Sequence, residues 1–284
     1  MANLKEIRNR IASVSSTMQI TSAMKMVSAA KLKKAQDAIT AMRPYADKLT
    51  ELLQNLSATL DADSGSKFSE QRDVKNVLIV AITSNRGLCG AFNSNIIKRA
   101  TVVAESYDAN VSVVAIGKKA NDALSKNFEI ISNQSPVFDD LTFDNVAAIA
   151  EMLMEQFESK AFDKIEVIYN KFKNAATQEI MTEQFLPIEP LEGDTNANLD
   201  YIFEPSKEEI VETLIPKSLK TQLYKSIRDS FASEHGARMT AMHKATDNAT
   251  ELRDQLKLTY NKARQASITN EILEIVGGAE ALNG

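Results

Sequence analysis

The sequence predicts an α/β protein in which a long antiparallel coiled coil of N- and C-terminal helices carries an inserted α/β domain. Three features support this: a heptad pattern that starts at Ile7, a C-terminal segment that is helical almost to its end, and alternating strand and helix patterns between them. The predicted boundaries are 1–60, 74–204 and 206–284 for the N-terminal helix, inserted domain and C-terminal helix. Two helices this long bury their apolar stripes most simply by pairing.

The N-terminal segment is predicted to be one long helix. Asn3 is a suitable N-cap, and Glu6 follows it at the spacing of a capping box. Alternating steps of four and three residues connect the seam positions Ile7, Ile11, Val14, Met18, Thr21, Lys25, Ser28, Leu32, Ala35, Ile39, Met42, Ala46, Leu49, Leu53, Leu56 and Leu60. Pro44 removes a backbone donor inside this helix, so a kink or a restart is expected near Arg43.

Part of this seam is polar. Thr21, Lys25 and Ser28 occupy positions where an ordinary coiled coil has leucine, so either a polar layer sets the register or something other than a helix contacts this stretch. Charge is also uneven, because residues 1–48 hold nine basic and three acidic side chains whereas residues 49–216 hold 14 and 27. The basic segment is therefore either a solvated face or a surface for an acidic protein or nucleic acid.

The middle of the chain alternates between strand and helix patterns. The predicted strands are Val77 to Thr83, Val111 to Gly117, Glu129 to Ser132, Ile165 to Phe172 and Glu179 to Leu186. The predicted helices are Asn93 to Tyr107, Lys119 to Phe128 and Phe143 to Lys160. This order indicates a small, largely parallel sheet covered by helices.

The first predicted strand runs into a glycine turn, "TSNRGLCGAFNSN", which spans Thr83 to Asn95. A Walker loop requires a lysine and a hydroxyl after its last glycine, and a dinucleotide fingerprint requires a third glycine, so both patterns fail here. Nucleotide binding is therefore only a weak alternative for this segment. We expect a structural turn in which Gly87 adopts a positive φ.

The C-terminal segment is predicted to be helical from a capping box formed by Ser206 and Glu209. Pro216 predicts a short first helix or a kink. A stripe of small residues followed by larger ones is suited to close approach of another helix, and its members are Ala237, Ala241, Ala245, Ala249, Leu252, Leu256 and Tyr260.

Candidate catalytic and metal-binding groups are sparse in this sequence. His235 and His243 are the only histidines and lie about two helical turns apart, which argues against a shared metal. Cys89 is the single cysteine, so it forms no internal disulfide and is expected to be a small buried side chain. The start of the chain has no apolar signal segment, and the longest apolar run, Val77 to Ile82, is far shorter than a membrane helix. We expect a soluble, unexported protein without a cofactor.

Five segments of the chain resemble the gamma subunit of the bacterial F-type ATP synthase: "QITSAMKMVSAAKLKKAQ", "RPYA", "TSNRGLCGAFN", "EHGARMTAMHKATDNA" and "YNKARQASITNEILEIVGGAEAL". They cover the chain from end to end. The resemblance implies a non-catalytic rotor shaft with an inserted Rossmann-like domain. Such a shaft couples rotation of a proton-driven membrane ring to conformational changes in a catalytic alpha–beta hexamer that makes ATP. Nucleotides then bind at alpha–beta interfaces, not at the glycine turn.

The resemblance also assigns contact residues and partners. The matched positions are Met24, Lys25 and Arg238 for the mobile lower loops of beta, Arg264, Gln265 and Thr269 for the catch loop of beta, and Tyr201 and Glu204 for the membrane ring. The implied partners are the alpha and beta subunits, the epsilon subunit and the ring of c subunits, with no nucleic acid and no direct membrane insertion. The implied location is peripheral, on the cytoplasmic face of the cell inner membrane.

Two other function classes remain open from the residues alone. A basic coiled-coil protein that binds nucleic acid would use the N-terminal helix, although no aromatic side chains interleave its lysines. A small α/β nucleotide-binding enzyme would use the glycine turn, although the turn has no lysine for phosphate.

Overall fold

The computed structural model describes residues 4–57, 67–188 and 207–283. The helices are α1 (Leu4–Ser57), α2 (Phe92–Glu105), α3 (Lys118–Leu124), α4 (Phe143–Glu158) and α5 (Lys207–Asn283). The strands are β1 (Asn76–Ile82), β2 (Asn110–Ile116), β3 (Glu129–Asn133), β4 (Lys164–Phe172) and β5 (Gln178–Leu186), and 3₁₀ turns occupy Lys67–Ser69 and Ser135–Phe138. The chain packs into two compact units, the sheet unit (Ala29–Arg238) and the helix-pair unit (Met1–Ser28 with Met239–Gly284).

A five-stranded sheet forms the centre of the sheet unit. Its strand order is β3-β2-β1-β4-β5. Strand β1 pairs in parallel with β2 and β4, β2 pairs in parallel with β3, and the edge strand β5 is antiparallel to β4. The predicted mixed α/β class with a largely parallel sheet is therefore confirmed, and the exception is one hairpin at the edge.

Strand β1 is buried on both faces, as expected for the central strand of a helix-covered sheet. Because side chains alternate along a strand, its residues divide between two cores. Leu78, Val80 and Ile82 pack in the core that contains α4 and part of α5, whereas Val77 and Ile79 pack in the core that contains α2 and α3. The continuous apolar run that predicted this strand is thus explained by burial on two sides.

Both prolines are accommodated inside continuous helices. Pro44 lies within α1, which does not restart at Arg43, and Pro216 lies within α5, which has no separate short first helix. The predicted restart near Arg43 and the predicted separate first helix before Pro216 are therefore wrong, while a kink at either proline stays a prediction. Proline removes one hydrogen bond from a helix, and long helices that pack along their length can tolerate that local loss.

The predicted seam of α1 is confirmed, because every seam position from Ile7 to Leu49 is buried or half-buried. Other predicted features fall outside the residues or side chains that the structure describes, namely Asn3, Leu53, Leu56, Leu60, Ser206 and Glu209. The three-part division of the chain at 1–60, 74–204 and 206–284 stays a prediction.

The two helices of the helix-pair unit run antiparallel. Arg8 Nη2 donates to the Tyr260 hydroxyl at 2.7 Å, and the hydroxyls of Thr21 and Thr246 lie 2.8 Å apart. Residue numbers therefore rise along α1 while they fall along α5. The Thr21–Thr246 bond is a polar layer between the helices, which accounts for one of the polar positions in the seam.

Candidate functional site

The glycine turn follows β1 at the carboxyl edge of the sheet, where ligands bind in many α/β proteins. Here the polar groups of the turn bond within the chain. The Ser84 amide and hydroxyl donate to Asn93 Oδ1 at 2.9 and 3.0 Å, and Asn93 Nδ2 lies 3.2 Å from Cys89 Sγ. On the other side, the Lys118 amide donates to Asn85 Oδ1 at 2.9 Å. These bonds anchor Ser84 and Asn85 at the start of the turn.

The backbone reversal of the turn falls after Gly87. Positive φ angles occur at Leu88, 62°, and at Gly90, 60°, whereas Gly87 has no positive φ. The expectation for Gly87 is therefore wrong, and a Cβ built there would have nothing within 4 Å. Leu88 is a branched residue in the left-handed region and its side chain is 63% exposed, so local backbone strain is present at the tip of the turn.

Arg238 of α5 holds the carbonyl side of this turn. Its Nη2 donates to the carbonyl oxygens of Arg86 and Gly87 at 3.1 and 3.2 Å, and its Nε donates to Gly87 at 3.3 Å. Its Nη1 forms an ion pair with Glu234 Oε1 at 2.7 Å, one helical turn earlier. We call Arg238 with Glu234 the turn clamp. A phosphate site needs backbone N–H groups, whereas this turn presents carbonyls to a cation.

The groups around the turn clamp are buried, and burial sets their titration. Burial raises the pKa of the Glu234 carboxyl, while the positive charge of Arg238 opposes that change. Burial, with the nearby charges of Arg238 and Lys31, lowers the pKa of His235 to about 3. His235 Nδ1 faces Arg238 Nη1 at 3.4 Å and its Nε2 has no hydrogen-bond partner, which is the arrangement of a neutral imidazole.

Two small residues let α5 approach the inserted domain. A Cβ on Gly236 would lie 3.2 Å from the backbone of Ala175, in the connection between β4 and β5. Ala237 packs with Cys89 and Phe92. The start of the predicted small-residue stripe therefore contacts the inserted domain, not a second helix as expected. Cys89 is buried as predicted, and burial raises the pKa of its thiol.

Further along α5, the buried stripe of the helix-pair unit differs by one position from the prediction. Leu252 is 48% exposed, whereas Ala249, Arg253, Leu256 and Tyr260 are buried or half-buried. The observed positions keep the alternating four- and three-residue steps of a coiled coil. The predicted stripe, which runs through Leu252, does not keep this alternation. Arg253 fits the seam because its Nη1 lies 3.5 Å from Met18 Sδ.

The residues assigned to partner contacts lie in different environments. Met24 and Lys25 are half-buried in the helix-pair unit, and Arg264, Gln265 and Thr269 are exposed on α5 of the same unit. Arg238 is buried in the sheet unit, with 7% of its surface exposed. Tyr201 and Glu204 lie outside the described residues. The contacts themselves stay predictions.

The turn clamp is the part of the site that the sequence did not reveal. A signal was available, since Glu234 and Arg238 stand four residues apart in a helical segment, a spacing that favours an ion pair. The partners across the fold gave no signal, because the carbonyl acceptors lie about 150 residues away in the chain.

Metal-ligand clusters and membrane-spanning helices are both absent from the part of the chain that the structure describes. No group of three or more His, Cys, Asp or Glu side chains there could hold a metal ion. Within the same ranges, none of the helices is both long and apolar enough to span a bilayer.

These features define a class of protein: an α/β sheet inserted between two long helices, with a glycine turn whose polar atoms are used internally. The family model described as ATP synthase matches residues 3–282. The chain therefore belongs to the ATP synthase family, among relatives that are gamma chains.

Individual relatives agree with this membership. The ATP synthase gamma chain of Flavobacterium psychrophilum is 77% identical, and that of Flavobacterium johnsoniae 75% identical, each over 100% of both chains. A chain in the cryo-EM structure of the central stalk and c-ring of the Tetrahymena thermophila mitochondrial ATP synthase matches with a TM-score of 0.60 and 27% identity. That match covers 80% of this chain and 99% of the other. The predicted recognition as a gamma subunit is confirmed.

Proposed function

We propose that this chain is the central rotor shaft of an ATP synthase, which couples rotation of a proton-driven membrane ring to conformational changes in the catalytic alpha–beta hexamer. Its place in the central stalk is supported by the gamma-chain relatives and by the stalk neighbour. In this role the chain does no chemistry of its own. Its asymmetric surface favours a different conformation of each beta subunit as it turns.

The observation that carries this proposal is the exposed end of α5. Arg8, near the start of α1, faces Tyr260, so most of α5 beyond Arg264 has no α1 residue beside it. Residues 268–281 are all exposed. This stretch nevertheless contains large apolar side chains that are about half or more exposed: Ile268, Ile272, Leu273, Ile275 and Val276. Apolar side chains in such number on a free helix end mark a surface that another protein covers.

The alpha–beta hexamer is the occupant that we propose for this end. Arg264, Gln265 and Thr269 then meet the catch loop of beta, and all three are free to do so because their side chains are exposed. Lower on the shaft, we propose that Met24 and Lys25 meet the mobile loops of beta. Residues 1–48 carry nine basic and three acidic side chains, which suits acidic loops.

The remaining partners in the proposal are the epsilon subunit and the ring of c subunits, with Tyr201 and Glu204 at the ring. The complex would place this chain peripherally on the cytoplasmic face of the inner membrane.

The rival nucleotide-binding function has less support. The carbonyls of the glycine turn accept hydrogen bonds from Arg238, and the side chains of Ser84 and Asn93 bond to each other. The rival nucleic-acid function has no supporting site in the described residues.

A substitution at Met24 tests the shaft contact within the whole complex. Met24→Lys adds an ammonium beside Lys25, within reach of acidic beta loops at some rotor angles only. One extra charge-assisted bond is worth about 1.5–3 kcal/mol, enough to distort states that differ by a few kcal/mol. We expect the complex to co-purify and hydrolyse ATP, but to pump fewer protons per ATP in membrane vesicles.

The matched control is Met26→Lys, the same chemical change at a 64% exposed methionine two residues away. It lies on another side of α1, so it should leave the pumping ratio near the wild-type value. If the tagged wild-type chain purifies without alpha and beta subunits, the central-shaft proposal fails. Equal numbers of protons pumped per ATP by Met24→Lys and the wild type would show that Met24 is not part of the proposed contact with the beta loops.

A further inference from the structure

We propose that Arg238 is a positioning residue. Paired with Glu234, it fixes the Arg86–Gly90 turn against α5, and the fixed turn supports the proposed contact between the shaft and the beta subunits. The conformational part of this proposal stands on the geometry of the turn alone. Its consequence for coupling rests on the proposed function, so the two parts need separate measurements.

All three nitrogens of the guanidinium are engaged within the chain. Nε and Nη2 donate to the carbonyls of Gly87 and Arg86, and Nη1 contacts Glu234 Oε1 at 2.7 Å. The Arg238 side chain is only 8% exposed. Planar donors in a fixed fork suit two adjacent carbonyls, and a lysine ammonium cannot reproduce that arrangement. Arg238 therefore acts by binding the carbonyls of Arg86 and Gly87, and little of its own surface is available to a partner.

The turn needs such a restraint because its backbone is strained at an exposed point. Leu88 has a φ of 62° and is 63% exposed, so packing around its side chain contributes little to holding the conformation. The carbonyls just before it are the ones that Arg238 binds. Removing the guanidinium would take both of its donors from the Gly87 carbonyl, while the Arg86 carbonyl would keep its bond from the Ser84 hydroxyl, so the turn could relax at Gly87.

Cys89 reports on this turn directly. It is the single cysteine of the chain and is 1% exposed, packed with Phe92 and with Ala237 of α5. A maleimide reagent reaches its sulfur only when the packing of the turn around Cys89 opens. The rate of labelling in the purified full chain therefore measures how often the turn opens.

The test compares two arginines of the same helix. Arg238→Met removes the turn clamp while keeping the length of the side chain. Arg228→Met is the matched control, because Arg228 is also partly buried and its Nη2 donates to the carbonyl of Leu141 at 2.7 Å, away from the turn. We expect Arg238→Met to raise the labelling rate of Cys89 at least tenfold, equivalent to about 1.4 kcal/mol of opening free energy. Arg228→Met should stay within about twofold of the wild type.

Arg238→Lys keeps the charge opposite Glu234 but loses the fork, so its labelling rate should fall between those of the wild type and Arg238→Met. If Arg238→Met fails to fold, the lysine variant decides the result by the same comparison with Arg228→Met. A labelling rate that is unchanged in the lysine and methionine variants would overturn the clamp.

The second measurement uses the complete ATP synthase in membrane vesicles. With Arg238→Met we expect ATP hydrolysis to persist and protons pumped per ATP to fall at least twofold, while Arg228→Met retains the wild-type ratio. Faster Cys89 labelling with an unchanged pumping ratio would overturn the positioning role but leave the clamp and the central-shaft function intact. Failure of the wild-type chain to join the complex would instead count against the central-shaft function.

Discussion

Strand β1 and the last turns of α5 are both rich in apolar residues, yet they have opposite environments. Residues Val77 to Ile82 of β1 are each 0% exposed. Along α5, Leu273 and Ile275 are 62% and 70% exposed. Both stretches carry side chains that water disfavours. One region completes its core with its own chain, whereas the other is exposed, and the proposed function has another protein cover it.

This difference separates two kinds of information in one sequence. The sheet unit holds residues that specify a fold, so a substitution there should change the stability of the free chain. Under the proposed function the end of α5 holds residues that specify an assembly, so its properties should change when partners are present. Substitutions at two positions of the sheet unit, and amide exchange in both regions, can test this difference.

The largest expected effect is at Gly117, between β2 and α3. Its φ is 115°, and an added Cβ would lie 2.3 Å from the carbonyl oxygen of Thr83 at the end of β1. Backbone strain and overpacking each cost about 1–3 kcal/mol, so Gly117→Ala should lower the free energy of unfolding by about 2–6 kcal/mol. Urea denaturation of the free chain measures this loss.

Gly87→Ala is the control for that substitution, because Gly87 has no positive φ and open space around its Cβ position. Its free energy of unfolding should stay within about 0.5 kcal/mol of the wild type. A Gly117→Ala protein as stable as Gly87→Ala would mean that the contact between the ends of β1 and β2 is not closely packed.

A smaller effect is expected at His235, through pH. Its folded pKa of about 3 lies below the ordinary value of 6.5, so between these values the unfolded chain binds more protons than the folded one. The stability that comes from the neutral imidazole is complete above about pH 6.5 and is lost as pH falls toward 3. His235→Gln should remove this slope, which is at most about 1.4 kcal/mol per pH unit.

The comparison for this experiment is His243→Gln, because His243 is exposed in the helix-pair unit. Denaturation curves at several pH values between 7 and 4.5 would give the slopes. The slope for His235→Gln should be shallower than that for His243→Gln, which removes an exposed imidazole. Identical slopes for His235→Gln and the wild type would show that His235 takes up its proton while the chain is folded.

Much of the fold was predictable because it depends on local patterns. The seam positions of α1 and the apolar run of β1 follow directly from spacing and burial. The missed features depend on contacts between distant parts of the chain. Pro44 and Pro216 each predicted either a kink or a break, and the break is excluded because the helices continue through both prolines.

The candidate site was predictable only in part. The sequence showed that the glycine turn lacks a phosphate motif, but it placed the positive φ at Gly87 instead of at Leu88 and Gly90. The resemblance assigns Arg238 to a contact with beta, which stays a prediction, whereas its hydrogen bonds to Arg86 and Gly87 required the folded structure. Helix spacing predicts neighbours within a turn, and it carries no information about a partner about 150 residues away.

Amide hydrogen exchange tests the contrast between the two regions most directly. The measurement compares the free chain with the same chain assembled with alpha and beta subunits. We expect amides of residues 268–281 to exchange quickly in the free chain and at least tenfold more slowly in the complex, while amides of Asn76–Ile82 are strongly protected in both. If residues 268–281 exchange at the same rate with and without those subunits, the end of α5 is not enclosed and the proposed role as central shaft is contradicted.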